Sequence, residues 1–310
     1  MWSGNLTSDL EKLRRGELAR GRVAEVLLPS LRYLFSTEVH AYAFSIAANA
    51  YLSFFPFSLI LLVVCRRWLR WEAAYLIVLQ LLRIHLPAGA DSVIQNLTQL
   101  VQGRPRLQLM SVIMLFFTSS GVFLPLEVAL NKIWGFRENR SFLKNQAMSF
   151  VLAVVSGVLA LSTIFASTGL QWIITSTLGW FPSQRVVAAL SRFVLEAASV
   201  PVAVAIFLMI YYFLPNGKVP IAHVWPAAIV TGFLTVVGKY VYILTLPMFR
   251  FREVYGPFAL SVTLLFWAYA GSLILLFGAH LTMQSFVERS VAQGVPVPAA
   301  VAASSQQAEI

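Results

Sequence analysis

Charged side chains inside two apolar segments could line a path for a charged or amphipathic molecule. Glu196 and Lys239 lie in neighbouring apolar segments of the 310-residue chain, at similar distances from the ends that would face the same side. A charge inside a bilayer costs at least about 2.5–3.5 kcal/mol, so it usually faces protein or water. The two residues could therefore form an ion pair in the wall of a polar cavity. Alternatively, Lys239 could extend its amine to the surface, and Glu196 could pair with Arg192 on its own helix.

A second polar group is expected near the opposite membrane face. Glu127 and Asn131 are four residues apart and share a helix side, while Asn216 lies in a Pro-Asn-Gly turn and His280 lies late in the last apolar segment. These four residues fall at comparable depth, so they could gate a pathway or bind a lipid headgroup. Equally, Glu127 could neutralise local basic residues and Asn131 could close a helix end. Asn49, in the first apolar segment, is expected to form an interhelical hydrogen bond rather than to contact a ligand.

The elements that must position these residues are transmembrane helices. The chain is 58% hydrophobic and only 12% charged, whereas a soluble domain carries about 25% charged residues. A helix of about 20 apolar residues crosses the roughly 30 Å hydrocarbon core of a bilayer. Such lengths are found at residues 41–64, 107–126, 146–167, 193–214, 224–246 and 257–287. The predicted fold class is therefore all-α, a polytopic membrane bundle of six transmembrane helices over residues 41–287.

The segments outside the predicted spans differ in composition. Residues 1–40 carry apolar side chains at helical spacing opposite charged ones, which predicts an amphipathic arm on the cytosolic headgroups. Residues 288–310 are small and polar and predict a disordered tail. The net charge of +10 lies largely beside the spans, which favours anionic lipid headgroups over nucleic acid as partners. The distribution of Lys and Arg favours cytoplasmic N- and C-termini, and the sequence leaves the oligomeric state open.

Prolines and short segments set several expected boundaries. Three prolines are candidate helix kinks, of the kind that recur near transporter substrate sites: Pro56, Pro201 and Pro226. The second span is expected to end at Pro125 and Glu127. The third span is expected to end near Ser167 and to be followed by an interfacial loop. The apolar residues 73–82 are too few to cross, so they are expected to be re-entrant or interfacial.

Four groups of short motifs occur along the chain in a characteristic order. They are Ala-Tyr-Ala-Phe at 41–44 with Tyr-Leu-Ser-Phe-Phe-Pro at 51–56, Leu-Glu at 126–127 with Ala-Leu-Asn-Lys-Ile-Trp-Gly at 129–135, Leu-Pro-Asn at 214–216 with Pro226, and Tyr-Gly at 255–256 with Trp267 and Gly278-Ala279. Together they resemble the YihY / virulence factor BrkB family, over about residues 20 to 285. The resemblance implies a bacterial inner-membrane protein with six helices and a loose association with envelope lipids.

Members of that family have been labelled ribonuclease BN, but the residues argue against an enzyme. Metal-dependent RNA hydrolysis needs clustered His and carboxylate side chains, whereas the four histidines are isolated and only Asp9 and Asp91 supply aspartates. His280 stands where the family often carries an acidic residue. No nucleophile–base pair can be placed at matched depth, and Cys65 is the only cysteine. We therefore expect neither catalysis nor a metal or cofactor.

Two functional hypotheses fit the sequence. The first is a transporter or translocase for a lipid-like or other envelope-related substrate, which the intramembrane charges, candidate kinks and amphipathic arm favour. The alternative is a non-transporting membrane scaffold in envelope maintenance, whose basic arm and long last helix would recruit partners or organise lipids.

Overall fold

The computed structural model contains helices and no strand in the residues it describes, which confirms the all-α prediction. The structure describes residues 26–85, 90–103, 105–136, 141–178 and 200–294, together with residues 296 and 301. The α-helices in these ranges are α1 (26–34), α2 (Thr37–Val63), α3 (Glu72–His85), α4 (Ala90–Gln102), α5 (Pro105–Ile133), α6 (Phe142–Leu178), α7 (Val200–Phe213), α8 (Ile221–Thr245), α9 (Phe251–Tyr255) and α10 (Ala259–Ala292).

Several of these helices have the length that a bilayer requires. By length and composition, three described helical segments are long and apolar enough to cross: Thr37–Trp68, Ile221–Thr245 and Glu253–Ala292. The first combines α2 with a π-helical turn over Val64–Trp68. α5 and α6, with 29 and 37 residues, also exceed the about 20 residues needed for one crossing. The chain therefore forms an α-helical membrane bundle.

α2 is the central helix of the bundle and packs against both α5 and α10. It runs antiparallel to α10, because Tyr51 is bonded to Ser261 at 2.8 Å between their hydroxyl oxygens, and His40 Nδ1 lies 2.5 Å from the Tyr269 hydroxyl. α8 packs on α10, and α6 packs on α5. One large apolar cluster, shared by α2, α5, α7, α8 and α10, forms the core.

Two predicted helix ends are wrong. α6 continues through Ser167 to Leu178, so no loop follows Ser167. α5 continues through Pro125 to Ile133. A proline removes one backbone hydrogen bond, but inside a bilayer neighbouring helices and side chains can satisfy the freed groups, whereas a loop would expose many more. For the same reason Pro56 and Pro226 lie inside α2 and α8, and Pro201 lies within the described helical residues of α7.

Two regions outside the predicted spans are helical. The apolar residues 73–82 belong to α3, a 14-residue helix that packs with α4 against the C-terminal end of α2. Their shared apolar contacts include Leu62 and Cys65 from α2 and the turn after it, and Tyr75 and Leu97 from α3 and α4. At the other end of the chain, α10 continues to Ala292, inside the segment predicted to be a disordered tail.

α10 approaches α7 and α8 most closely at Gly278. Tyr211 on α7 donates its hydroxyl hydrogen to the carbonyl oxygen of Leu275 at 2.8 Å, and its oxygen lies 3.2 Å from Thr231 Oγ1 on α8. A Cβ at Gly278 would lie 1.8 Å from that Thr231 oxygen and 2.4 Å from the Tyr211 oxygen. Glycine is therefore required at this position for the three helices to pack.

We predict that Gly278→Ala destabilises the folded bundle. Inserting a methyl group into a packed contact costs about 1–3 kcal/mol, and here it would also displace the hydroxyl groups of Tyr211 and Thr231. Gly271→Ala on the same helix is the matched control, because a Cβ there meets nothing within 4 Å. Thermal unfolding in detergent should show a lower midpoint for Gly278→Ala alone; equal midpoints for both variants would contradict the packing described.

Candidate functional site

The polar residues that the sequence singles out on α5 are buried inside the bundle. Glu127 and Asn131 leave 1% and 2% of their surface exposed, and they lie one helical turn apart on the same side of α5. Their apolar neighbours Leu126 and Leu130 are equally buried, so this part of α5 is enclosed on more than one face. A charged side chain so far from water is expensive, and such residues are usually retained for function.

Asn131 closes the turn between α7 and α8. The backbone N–H of Asn216 donates a hydrogen bond to Asn131 Oδ1 at 2.9 Å. The turn at residues 214–217 is not helical, and a backbone donor removed from water needs such a partner. Phe136 lies against the same turn, because a Cβ at Gly217 would be 2.2 Å from its ring atoms. The end of α5 and this turn therefore form one unit, in which Asn131 and Asn216 meet directly.

His280 is held by α1. Its Nδ1 lies 3.0 Å from Ser30 Oγ, and its ring stacks on Tyr33 with the centroids 4.3 Å apart. The Ser30 hydroxyl donates to the Val26 carbonyl oxygen at 2.9 Å, so we assign it as the acceptor of Nδ1–H from His280. That tautomer leaves a lone pair on His280 Nε2, which has no hydrogen-bond partner among the described residues. Burial raises the pKa of Tyr33, which therefore stacks as a neutral phenol.

The surroundings of Glu127 and of His280 are connected through the apolar core. At the end of α5, the Trp134 ring lies 5.7 Å from the Phe286 ring of α10, measured between centroids. Residues on both sides of Glu127 and of His280 belong to one apolar cluster. We call Glu127, Asn131, Asn216 and His280 the polar layer. Whether its members act together on a pathway stays a prediction.

Three further buried polar residues lie at the start of α6 and were not singled out from the sequence. Asn145, Gln146 and Ser149 are 5%, 3% and 0% exposed, and Ser149 Oγ lies 3.4 Å from Asn145 Oδ1. α5 and α6 pack together and are joined by the short segment 134–141. The three residues therefore lie at the same end of the bundle as Glu127 and Asn131. Their spacing at i, i+1 and i+4 at the start of an apolar run is the signal that could have revealed them.

The predicted Glu196–Lys239 pair stays a prediction, because Glu196 lies outside the described residues. Lys239 is half-buried on α8, with its Nζ 5.1 Å from the centroid of the Tyr240 ring. The interhelical hydrogen bond expected for Asn49 stays a prediction. The Asn49 amide donates to the Ser45 carbonyl oxygen of its own helix at 2.8 Å, and its side chain packs on the backbone of α5 at Gly121.

The described residues include no group of three or more His, Cys, Asp or Glu side chains that could hold a metal ion. Cys65, the single cysteine of the chain, is buried and unoxidised in the apolar contacts of α2, α3 and α4. Within that part of the chain, the chemistry of the candidate site is that of one carboxylate, several amides and an imidazole.

Long apolar helices around a buried polar layer define an α-helical polytopic membrane protein. The family model described as Virulence factor BrkB matches residues 32–302, and the chain belongs to this family. The motifs at 41–56, 126–135, 214–226 and 255–279 had indicated this membership, which the match confirms.

Bacterial relatives carry names that state only a membrane protein. A UPF0761 membrane protein of Idiomarina loihiensis is 26% identical over 64% of this chain and 68% of its own length. The corresponding protein of Alteromonas mediterranea is 24% identical over 64% of this chain and 65% of its own. A UPF0761 membrane protein of Chlorobium chlorochromatii is 23% identical over 63% of this chain. The matched region covers only 44% of that relative's length. No solved structure matches the chain.

We predict that Asn131→Ala destabilises the protein by about 1–3 kcal/mol, because the Asn216 N–H then loses its acceptor. Asn96→Ala is the comparison variant, since it makes the same chemical change at an exposed position on α4. Thermal unfolding in detergent should show the larger decrease for Asn131→Ala. Equal decreases would indicate that the turn between α7 and α8 does not depend on this bond.

Proposed function

We propose that the protein is a transporter or translocase of a lipid-like or other envelope-related substrate in the bacterial inner membrane. The observation that carries the proposal is the burial of Glu127 in the bundle, 1% exposed, at the end where α5, α6 and the turn between α7 and α8 contribute amide side chains. A buried carboxyl group is costly to desolvate, so its presence here favours a functional role.

An amphipathic substrate that crosses the membrane must bring its polar headgroup through the hydrocarbon core. Its apolar part can remain in hydrocarbon, but its polar part loses several hydrogen bonds with water unless protein groups replace them. The polar layer supplies acceptors and donors of the required kind inside the membrane protein. The predicted cavity with Glu196 and Lys239 would extend this polar environment toward the other face. Nε2 of His280 offers a further acceptor at the end of the bundle that α1 covers.

A non-transporting scaffold is the second candidate, and the length of α10 favours it. Its 34 residues correspond to about 51 Å at about 1.5 Å per residue, whereas the hydrocarbon core is about 30 Å thick. Part of α10 therefore extends beyond the hydrocarbon, and α1 contacts α10 at His280. A projecting helix with α1 packed against it is suited to recruiting a partner.

We predict that Glu127→Gln reduces lipid movement between leaflets in reconstituted liposomes by about tenfold or more, because the only buried carboxylate of the polar layer is lost. Movement of a fluorescent phospholipid would be measured for wild type, for this variant and for empty vesicles. Glu253→Gln is the matched control, since it makes the same change at an exposed carboxylate paired with Arg250.

The outcomes separate the two candidate functions. Movement above that of empty vesicles, reduced by Glu127→Gln and not by Glu253→Gln, supports translocation through the polar layer. If wild type and empty vesicles behave alike with the lipids tested, translocation of this class is contradicted and the scaffold becomes the better account. Size-exclusion chromatography of each variant distinguishes loss of function from loss of folding.

The proposed orientation places both termini in the cytoplasm. In a Cys65→Ala background, Trp68→Cys should react with a membrane-impermeant maleimide added to intact spheroplasts, because Trp68 is 82% exposed at the end of α2. Val291→Cys, at a position 68% exposed near the end of α10, should react only after permeabilisation. The reverse labelling pattern would show that the orientation is inverted.

A further inference from the structure

An apolar cavity opens beside Pro56, away from the polar layer. It has a volume of about 240 Å³ and lies between the second half of α2, α4 and the middle of α5. Among the described residues its wall is apolar except for one side-chain amide and includes Pro56, Leu59, Asn96, Leu97, Leu100 and Met114. Cavities that enclose a whole small molecule usually measure about 300 Å³ or more. This one accommodates one end of an apolar molecule, with the rest outside.

The C-terminal end of α2 marks the membrane surface nearest to the cavity. Trp68 is 82% exposed there, beside the exposed Arg67 and Arg70, and indole and cationic groups are typical of headgroup level. Leu59 of the cavity wall lies eight residues before Arg67, which is about 12 Å along the helix. Half of the hydrocarbon core is about 15 Å thick, so the cavity lies at the depth of acyl chains.

One hydrogen bond at the end of α4 connects the region of the cavity to Arg67. Arg67 Nη2 donates to the carbonyl oxygen of Gly103 at 3.3 Å, three residues after Leu100 of the cavity wall. Arg66 extends instead toward α3, where it donates to the Tyr75 hydroxyl at 3.3 Å. Arg67 therefore lies on the α4 side of α2, the side on which the cavity opens.

Arg70 has a backbone conformation that favours glycine. Its φ is +50°, in the left-handed region where a side chain costs free energy. An exposed guanidinium at such a position does not stabilise the backbone, and strained residues are found preferentially at ligand sites. The position therefore carries a cation at headgroup level even though glycine would fit the backbone better.

We propose that this cavity holds part of one acyl chain of an anionic phospholipid from the leaflet at the C-terminal end of α2, with the phosphate at Arg67 and Arg70. A phospholipid fits because it joins an anionic phosphate, which the arginines can bind, to a flexible apolar chain. That chain can enter the cavity about 12 Å below the arginines. The inference rests on the proposed function in one respect: the lipid bound in the cavity belongs to the class of lipids that the protein would transport.

The test is photolabelling of the full-length protein in nanodiscs with a phosphatidylglycerol that carries a diazirine on one acyl chain. We expect labelled peptides from the cavity walls on α2, α4 and α5. Met114→Trp should reduce that labelling about tenfold by filling the cavity. Met110→Trp is the matched control, because Met110 is exposed one turn earlier on α5 and does not line the cavity.

The headgroup is tested with a second matched pair. Arg70→Gly should weaken the labelling about fivefold, which corresponds to the loss of one basic residue near an anionic group, without lowering the midpoint of thermal unfolding. Arg250→Gly removes the same charge at the other positive-φ arginine of the described residues, with φ +44°, and should leave labelling unchanged. A phosphatidylcholine probe should label the cavity less than phosphatidylglycerol.

Equal effects of Met114→Trp and Met110→Trp, or labelling spread over all lipid-facing helices, would overturn the inference. Liposome measurements on the same preparations separate it from the proposed function. Cavity labelling without lipid movement supports the binding site and contradicts translocation. Lipid movement without cavity labelling leaves translocation standing and overturns the site.

Discussion

The bundle depends on how α2 is held between α5 and α10 in a solvent that gives helices no hydrophobic reason to associate. Lipid tails are as apolar as leucine side chains, so association relies on close packing and on hydrogen bonds between helices. α2 has both kinds of contact. Asn49 packs on the backbone of α5 at Gly121, and Tyr51 is bonded to Ser261 of α10. The enclosure of polar residues near the ends of α5 and α10 follows from this arrangement.

Enclosure has opposite consequences for the two polar residues of α5. Asn131 stabilises the fold, because its oxygen accepts the backbone N–H of Asn216 and so holds the turn between α7 and α8 to the end of α5. Glu127 carries a desolvation cost that an apolar residue of similar size would avoid. A residue that closes a turn and a residue that carries a desolvation cost thus lie one helical turn apart. The second kind is where a function should be sought.

Features set by length and composition could be predicted from the sequence, and features set by packing could not. The all-α class and the membrane environment follow from apolar runs of bilayer length. The ends predicted at Pro125 and Ser167 were wrong because the rules for helix ends apply to water, where freed backbone groups find partners. Asn131 and Asn216 were grouped from their depth and do meet, although 85 residues separate them. The contact of His280 with α1 was missed, because an amphipathic pattern shows which face is apolar and not what that face contacts.

The two ends of the bundle offer different environments, and an amphipathic molecule needs both. At the C-terminal end of α5, carboxylate and amide groups are enclosed by protein. At the C-terminal end of α2, an apolar cavity lies about 12 Å below exposed arginines. A lipid can occupy the second environment without leaving its leaflet, since its headgroup stays at the surface. Crossing requires polar partners for the headgroup through the remaining depth of the membrane, which the cavity does not supply. We therefore propose that binding and movement depend on different residues, and that the carboxylate of Glu127 serves movement.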